Sequence, residues 1–181
     1  MQTILVTGGC GYIGAHTIVD LIENGFNVIS VDNLSRSSEN SLAGIEKITG
    51  KKVKNYNIDL TNAQAAESIF TENPNITGVI HFAAYKAVGE SVEMPLAYYK
   101  NNIFSLVNLL KLAVKYNAMH FIFSSSCTVY GNPDAIPVTE QTPLQPAASP
   151  YGATKQMGES IIKDTAFVES LSTILLRYFN P

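Results

Sequence analysis

A run of β-branched and apolar residues, Thr3 to Thr7, breaks off into Gly8-Gly-Cys-Gly-Tyr-Ile-Gly14, and a helical pattern begins at Tyr12. Strand, glycine turn, helix is the opening of a βαβ unit, and it constrains everything downstream. A parallel partner for the first strand can be reached only through a crossover connection. The rest of the chain supplies them. Further short runs lie at Asn27 to Val31, Val53 to Asn57, Val79 to Phe82, His120 to Ser124 and Thr173 to Tyr178. Ile4-Leu-Val, Val28-Ile-Ser-Val and Ile174-Leu-Leu hardly alternate, as expected of strands covered on both faces. Between the runs lie helical patterns. Tyr12 to Asn24 ends at Asn24-Gly25, a C-cap signal. Leu96 to Tyr116 puts Leu96, Tyr99, Ile103, Leu106, Leu110 and Ala113 on one side. This alternation predicts an α/β fold, a doubly wound parallel sheet with helices on both faces.

A length of 181 residues suits one domain, and 46% hydrophobic against 15% charged residues suits a large core. The formal charge of −3 offers no footprint for nucleic acid or an anionic membrane. Any phosphate site must therefore be local and made from backbone N–H groups. No apolar stretch approaches the ~20 residues that span a bilayer. Met1-Gln-Thr-Ile-Leu-Val runs straight into the glycine loop, so no signal peptide is expected. Cys10 and Cys127 form no C-x-x-C pair or disulfide framework. The expectation is a soluble protein of the reducing cytoplasm. His16, His81 and His120 show no metal spacing and read as structural. Asn132 to Pro150 is a Pro-rich stretch about as long as ordered loops become, which favours a functional loop.

Gly9-x-Gly11-x-x-Gly14 follows a strand and opens a helix, the context that makes the motif informative. Glycines let the chain turn tightly and approach a pyrophosphate, while the helix N-terminus supplies donors and partial positive charge. Asp32, at the end of the second run and about twenty residues on, can accept hydrogen bonds from both ribose hydroxyls and repel a 2′-phosphate. NAD is thus expected over NADP; Arg36 nearby keeps the NADP option open, though it reads more readily as a solvated loop arginine. Asp59-Leu60 follows the third run where an adenine edge could be met, or else caps a helix near Thr61. Phe82-Ala-Ala-Tyr-Lys86 follows the fourth, at the carboxyl edge of the sheet, where small alanines would let the backbone lie along a cofactor.

Tyr151 and Lys155, at i and i+4, share a helix face. Ser149 is the expected N-cap and Pro150 the first helical residue. A phenol of ordinary pKa near 10 is a poor base, and a neighbouring ammonium and a cationic nicotinamide would both favour the phenolate. In Ser124-Ser-Ser-Cys-Thr-Val-Tyr130, Ser126 is the expected partner for a substrate hydroxyl and Thr128 the second choice. Ser124 and Ser125 are expected to satisfy the turn's own backbone, and Cys127 to be a small packing residue.

These residues, in this order, resemble the extended short-chain dehydrogenase/reductase superfamily. Thr7 to His16, Val31-Asp-Asn-Leu34, Val79 to Ala84 with Lys86-Ala-Val-Gly-Glu-Ser91, Phe121 to Ser126, Thr128-Val-Tyr-Gly131 and Leu176-Arg-Tyr-Phe-Asn-Pro181 look like its UDP-glucose 4-epimerase family. The resemblance implies a Rossmann domain over residues 1–181 in which Gly8, Gly11, Tyr12, Ile13 and Gly14 meet the pyrophosphate of NAD. It implies that Asp32, Asn33 and Ser37 hold the adenosine end and that Asp59 and Leu60 flank adenine. Phe82, Ala83, Ala84, Lys86, Asn101 and Phe179 would line the cofactor. Ser126, Tyr151 and Lys155 would be catalytic, with Lys155 on the nicotinamide ribose, and Lys86, Ser126, Tyr151 and Asn180 would approach a UDP-sugar. The implied activity is NAD-dependent 4-epimerisation of a UDP-hexose through a 4-keto intermediate, in galactose metabolism, by a homodimer paired through its two long helices. A dehydratase of the superfamily would carry an Asp-Glu pair where this chain has Cys127-Thr128. Family members run on into a smaller, sugar-gripping domain largely absent here, so the chain alone is expected to bind NAD weakly and turn over little. Two alternatives stay open: another UDP-sugar epimerase or decarboxylase, and a non-catalytic NAD-binding module.

Overall fold

The computed structural model describes residues 1–179. Its strands are β1 (Thr3–Thr7), β2 (Asn27–Val31), β3 (Lys54–Tyr56), β4 (Ile76–His81), β5 (His120–Ser126) and β6 (Ser172–Tyr178). They form one six-stranded sheet in the order β3-β2-β1-β4-β5-β6, with every neighbouring pair parallel. The chain winds outward from β1 to β2 and β3, then crosses to β4, β5 and β6. Winding reverses between β1 and β4, and a crevice opens at the carboxyl ends of strands at such a reversal.

The helices are α1 (Tyr12–Glu23), α2 (Asn40–Thr49), α3 (Ala63–Glu72), α4 (Val88–Glu93), α5 (Pro95–Lys115) and α6 (Pro150–Val168). Strand side chains alternate between two cores. Val6, Val28 and Ile80 meet Ile18 and Ile22 of α1 and Ile45 of α2. Leu5, Ile29, Val79 and Phe121 meet Phe70 of α3, Leu106 and Leu109 of α5 and Ile162 of α6. Covered on both faces, the central strands read as unbroken apolar runs.

Local signals set the element ends. Asn24 follows α1 and Gly25 takes a φ of 84°, in the left-handed region, as Asn24-Gly25 predicts. Two expectations need correction. β4 begins at Ile76, earlier than Val79, because Gly78 interrupts the β-branched pattern yet belongs to the strand. A side chain there would press on His120 of β5, with a Cβ 3.2 Å from that residue's Cβ. The face that α5 buries also differs over its first half. Leu96 is 81% exposed, whereas Tyr98, Asn102 and Ser105 are buried. Polar anchors, satisfied inside, hold that end of the helix, and apolar periodicity cannot reveal them.

β6 is an edge strand, paired with β5 and, among the described residues, with no other. Ile174 and Leu176 on its outer face remain 53% and 39% exposed. No helix among the described residues is long and apolar enough to cross a membrane.

Candidate active site

The β1–α1 turn is built by close approach. Gly8, at φ 68°, donates its N–H to the Val31 carbonyl at 2.8 Å, and a Cβ there would lie 2.9 Å from the Ala83 nitrogen. A side chain at Gly14 would run into the Gly8 carbonyl, so glycine lets α1 settle onto the turn. Gly11 caps α1 without a side-chain bond, and no acid lies in its first turn. The N–H groups there have no intrahelical partner, which is the donor set a phosphate takes. α3 and α6 differ, since Asn62 and Ser149 cap them through their side chains.

This turn forms the floor of a cleft of about 610 Å³, a size suited to a nucleotide-like ligand. Gly8, Gly11, Tyr12, Ile13 and Gly14 line it from the turn, and Asp32, Asn33 and Ser37 from beyond β2. Asp59 and Leu60 follow β3, and Phe82, Ala83, Ala84 and Lys86 follow β4. Asn101 enters from α5, Ser126 from the end of β5, and Tyr151 and Lys155 from α6. The residues singled out on sequence thus converge, with two exceptions. Phe179 is exposed and packs its ring 6.1 Å from that of Tyr130, outside the cleft wall. Tyr178 lines the cleft in its place, since neighbours along a strand face opposite ways. Asn180 lies outside the described residues.

Asp32 is held by its own surroundings. Its carboxylate accepts from Cys10 N at 3.1 Å, Leu34 N at 2.9 Å and the Ser37 hydroxyl at 2.7 Å. A carboxylate has about four acceptor sites, so capacity for a ligand hydroxyl remains. Asp59 takes Thr61 N at 2.9 Å, but Asn62 caps α3. Arg36 is not a free loop arginine: it is clamped by Glu90 and stacked on Tyr85.

On α6, Ser149 accepts the Gly152 N–H at 3.1 Å, and Pro150 opens the helix. Burial pushes the Tyr151 phenol above its ordinary range, while the neighbouring Ser126 hydroxyl pulls the other way. The expected lowering is therefore not a property of these protein groups by themselves. Lys155, with its nitrogen 5.7 Å from the Tyr151 ring centre, donates instead to the Ser124 carbonyl at 2.6 Å. Burial pushes that amine down to about 8.

Ser126 accepts from Thr128 N at 3.2 Å and so caps a 3₁₀ turn, Cys127–Tyr130. Cys127 lines the cleft instead of serving only as packing. The Thr128 hydroxyl oxygen, in the same wall, is buried with no hydrogen-bond partner among the described residues.

Two supporting residues, Glu159 and Asn102, escaped sequence reasoning, and His81, read there as structural, is structural and braces the site. Glu159 is 1% exposed and accepts from Ser125 at 2.6 Å and from Arg177 at 2.9 and 2.7 Å. Ser125 thus serves Glu159, not the turn's backbone. Burial alone would disfavour the carboxylate, but the Arg177 and Ser125 hydrogen bonds prevail and hold its pKa low. The i+4 continuation from Lys155 to Glu159 was the available signal. Asn102 pairs with both backbone groups of Tyr85, at 2.8 and 3.0 Å, and donates to Thr154 at 3.1 Å, which ties the β4–α4 loop to α5 and α6. His81 Nδ1 lies 2.7 Å from the Thr7 hydroxyl, which accepts the Ala83 N–H at 3.1 Å. The Thr7 hydroxyl and the His81 ring thus share one hydrogen bond, and the ring is neutral; burial, then Lys155, push its pKa down to about 3.

Together these groups offer a dinucleotide-sized cleft, N–H donors on its floor, an acid at one end and a phenol, amine and hydroxyl at the other. Among the described residues no His, Cys, Asp and Glu gather as a metal site.

A family model described as GDP-mannose 4,6 dehydratase matches residues 5–181. The chain belongs to that family. Within it, the chain matches the N-terminal half of UDP-glucose 4-epimerases. It is 52% identical to the enzyme of Schizosaccharomyces pombe over 184 aligned residues, covering 99% of this chain and 51% of that protein. Against the Bacillus subtilis enzyme it is 49% identical, covering 99% of this chain and 53% of the relative. The crystal structure of UDP-glucose 4-epimerase from Bifidobacterium longum in complex with NAD⁺ and UDP superimposes with a TM-score of 0.96 at 49% identity, over 99% of this chain and 54% of that one. The chain spans about half the length of the curated relatives it matches.

Proposed function

We propose that this chain is the NAD-binding and catalytic half of a UDP-hexose 4-epimerase acting on UDP-glucose and UDP-galactose, in galactose metabolism. The observation that carries the reading is the convergence of Ser126, Tyr151 and Lys155 with the glycine turn and Asp32 in one cleft. The cradle at Gly8 and Gly14, which a Cβ would fill, and the uncapped start of α1 fit a dinucleotide pyrophosphate. The similarity to UDP-glucose 4-epimerases and the NAD⁺ and UDP bound by the Bifidobacterium enzyme support the assignment.

In this reading the α1 amides hold the pyrophosphate and Asp32 takes the ribose hydroxyls. Bound NAD supplies reversible hydride acceptance at the sugar C4. Tyr151 removes and returns the proton of the 4-hydroxyl, and Ser126 orients that oxygen. Lys155, neutralised more readily than a surface lysine, meets the adjoining ribose and the phenol. Cys127-Thr128 supplies no acid pair for eliminating water, which favours epimerisation over dehydration. Lys86 lies where it could meet the UDP-sugar, and other sugar contacts would fall to sequence of the kind that fills the relatives' remaining half. Residues 1–179 show one sheet and its helices, consistent with a single NAD-binding unit. A homodimer is proposed through α5 and α6, whose shared groove is lined by Val107, Leu110, Val114 and Ile161. The free thiols Cys10 and Cys127 suit the cytoplasm.

The test is to titrate the chain with NAD⁺ and then, with the chain joined to the C-terminal half of the Bacillus subtilis relative, follow conversion of UDP-galactose to UDP-glucose for wild type and Tyr151→Phe. Phenylalanine should lower turnover by about 10²–10⁴-fold while NAD⁺ affinity stays within a small factor. Equal turnover by the two proteins, or no binding of NAD⁺, would sink the reading.

A further inference from the structure

Arg36 follows Asp32 closely in the β2–α2 connection, so the chain carries two opposed signals at one end of the cleft. In dinucleotide folds an acid there meets a free 2′-hydroxyl, whereas an arginine nearby accommodates a 2′-phosphate. The side chains themselves show which signal is available. Both terminal nitrogens of Arg36 are engaged by Glu90, at 2.8 and 2.7 Å, and the guanidinium lies 4.2 Å from the centre of the Tyr85 ring. Glu90 is itself anchored from below. Tyr98 of α5, wholly buried, donates its hydroxyl to the same carboxylate at 2.5 Å, and the Tyr85 and Tyr98 rings meet edge-on at 5.6 Å.

The bridge crosses the cleft. β2 and β4 flank β1 in the sheet, so a contact from the loop after β2 to α4 after β4 spans the glycine turn between them. Isolated surface ion pairs are weak and easily exchanged. This one is a two-pronged arginine–carboxylate pair with an aromatic stack and a buried hydroxyl behind it, a combination that holds the guanidinium in one place. Among the described residues lining the cleft, the cationic side chains are Arg36, Lys86 and Lys155. Lys155 is engaged by the Ser124 carbonyl, and Lys86 follows β4, on the far side of β1 from Asp32. Arg36 is thus the cation nearest Asp32 along the chain, and its guanidinium is engaged by Glu90.

We propose that Glu90 determines dinucleotide specificity: by drawing Arg36 across the cleft it leaves Asp32 unopposed at the ribose and selects NAD over NADP. The inference rests on the reading of this cleft as a dinucleotide site. Glu90 acts through Arg36 and is a positioning residue.

Calorimetric titration of the full chain with NAD⁺ and with NADP⁺ tests it, using wild type, Glu90→Ala, Glu90→Gln and the double variant Glu90→Ala/Arg36→Ala, each checked for folding by circular dichroism. Wild type should prefer NAD⁺. Glu90→Ala should raise NADP⁺ affinity relative to NAD⁺ by about tenfold or more, since a released arginine can form a charge-assisted pair with phosphate. Glu90→Gln should shift the ratio the same way by less, and the double variant should restore the wild-type ratio. An unchanged ratio in both single variants, with NAD⁺ still bound, would overturn this proposal alone. So would a shift that survives removal of Arg36, because it would then come from loosening of α4. Wild type that binds neither dinucleotide would overturn the reading of the cleft and this inference with it.

Discussion

His81 shows how much a single buried group can decide. It sits 2% exposed at the end of β4, neutral, held by Thr7 and close to Lys155, with a pKa of about 3 in place of 6.5. Between those values the unfolded chain binds a proton that the folded chain refuses, so stability is full above about 6.5 and drains away as pH falls toward 3. The slope can reach about 1.4 kcal/mol per pH unit inside the window. Urea unfolding followed from pH 7 to 5 should show the wild-type midpoint falling, while His81→Asn, which keeps an acceptor for Thr7, should stay nearly level. Parallel curves would show that His81 is not the titrating group. Residue types were informative at Asp32, Tyr151 and Lys155 because their spacing from strand and helix signals restricts where they can stand. Asn102 and His81 were illegible as parts of the site, since their partners lie on other elements and chain spacing carries no trace of them; Glu159 left only its i+4 spacing from Lys155, while its partners Ser125 and Arg177 lie on other strands.

At the scale of elements, α6 is the piece that brings the catalytic candidates to the cleft, and it lies very close to β5. Gly158 is the reason: a Cβ there would come within 2.8 Å of the Phe123 ring and 3.2 Å of Leu106. Two effects oppose each other in Gly158→Ala. Helix propensity favours alanine by about 1 kcal/mol, whereas overpacking a filled core costs about 1–3 kcal/mol. Phe123 is 4% exposed and also lies beneath the Lys155 nitrogen, 4.8 Å away, so the ring has little room to yield. Gly158→Ala should therefore lower stability by about 1–2 kcal/mol in denaturant unfolding, against the direction that propensity alone predicts. A stabilised variant would mean that the helix shifts freely on the sheet. Element ends were readable where capping chemistry marks them, as at Ser149-Pro150 and Asn24-Gly25. The inward face of α5 was misread over its first half because Asn102 and Ser105 are polar residues satisfied in the interior.

At the scale of the whole molecule, the sheet is protected unevenly. β1 and β4 are buried on both faces, while β6 ends the sheet with Ile174 and Leu176 exposed, and Phe167 and Val168 beside it at the end of α6 are 92% and 78% exposed. An edge strand with an apolar outer face is a template for pairing with another chain. The 181-residue chain should associate beyond a dimer in a concentration-dependent way, and Ile174→Lys should suppress those larger assemblies with little change in unfolding midpoint. Light scattering and size-exclusion chromatography over a concentration series would show it. Equal higher-order association of the variant would place the sticky surface elsewhere.

Periodicity, glycine placement and helix caps determined by themselves that this chain builds a doubly wound parallel sheet with a glycine turn at its centre, because those signals act between residues near in sequence. The meeting of Ser126, Tyr151 and Lys155 with that turn could be anticipated, since parallel strands send all their carboxyl ends to one edge. Only the tertiary structure decided what each group there does. It engaged the Lys155 ammonium with a carbonyl, raised Tyr151 by burial and paired Arg36 with Glu90. Burial and charge pairing depend on what lies across space, and partners such as Arg36 and Glu90 are joined by folding alone.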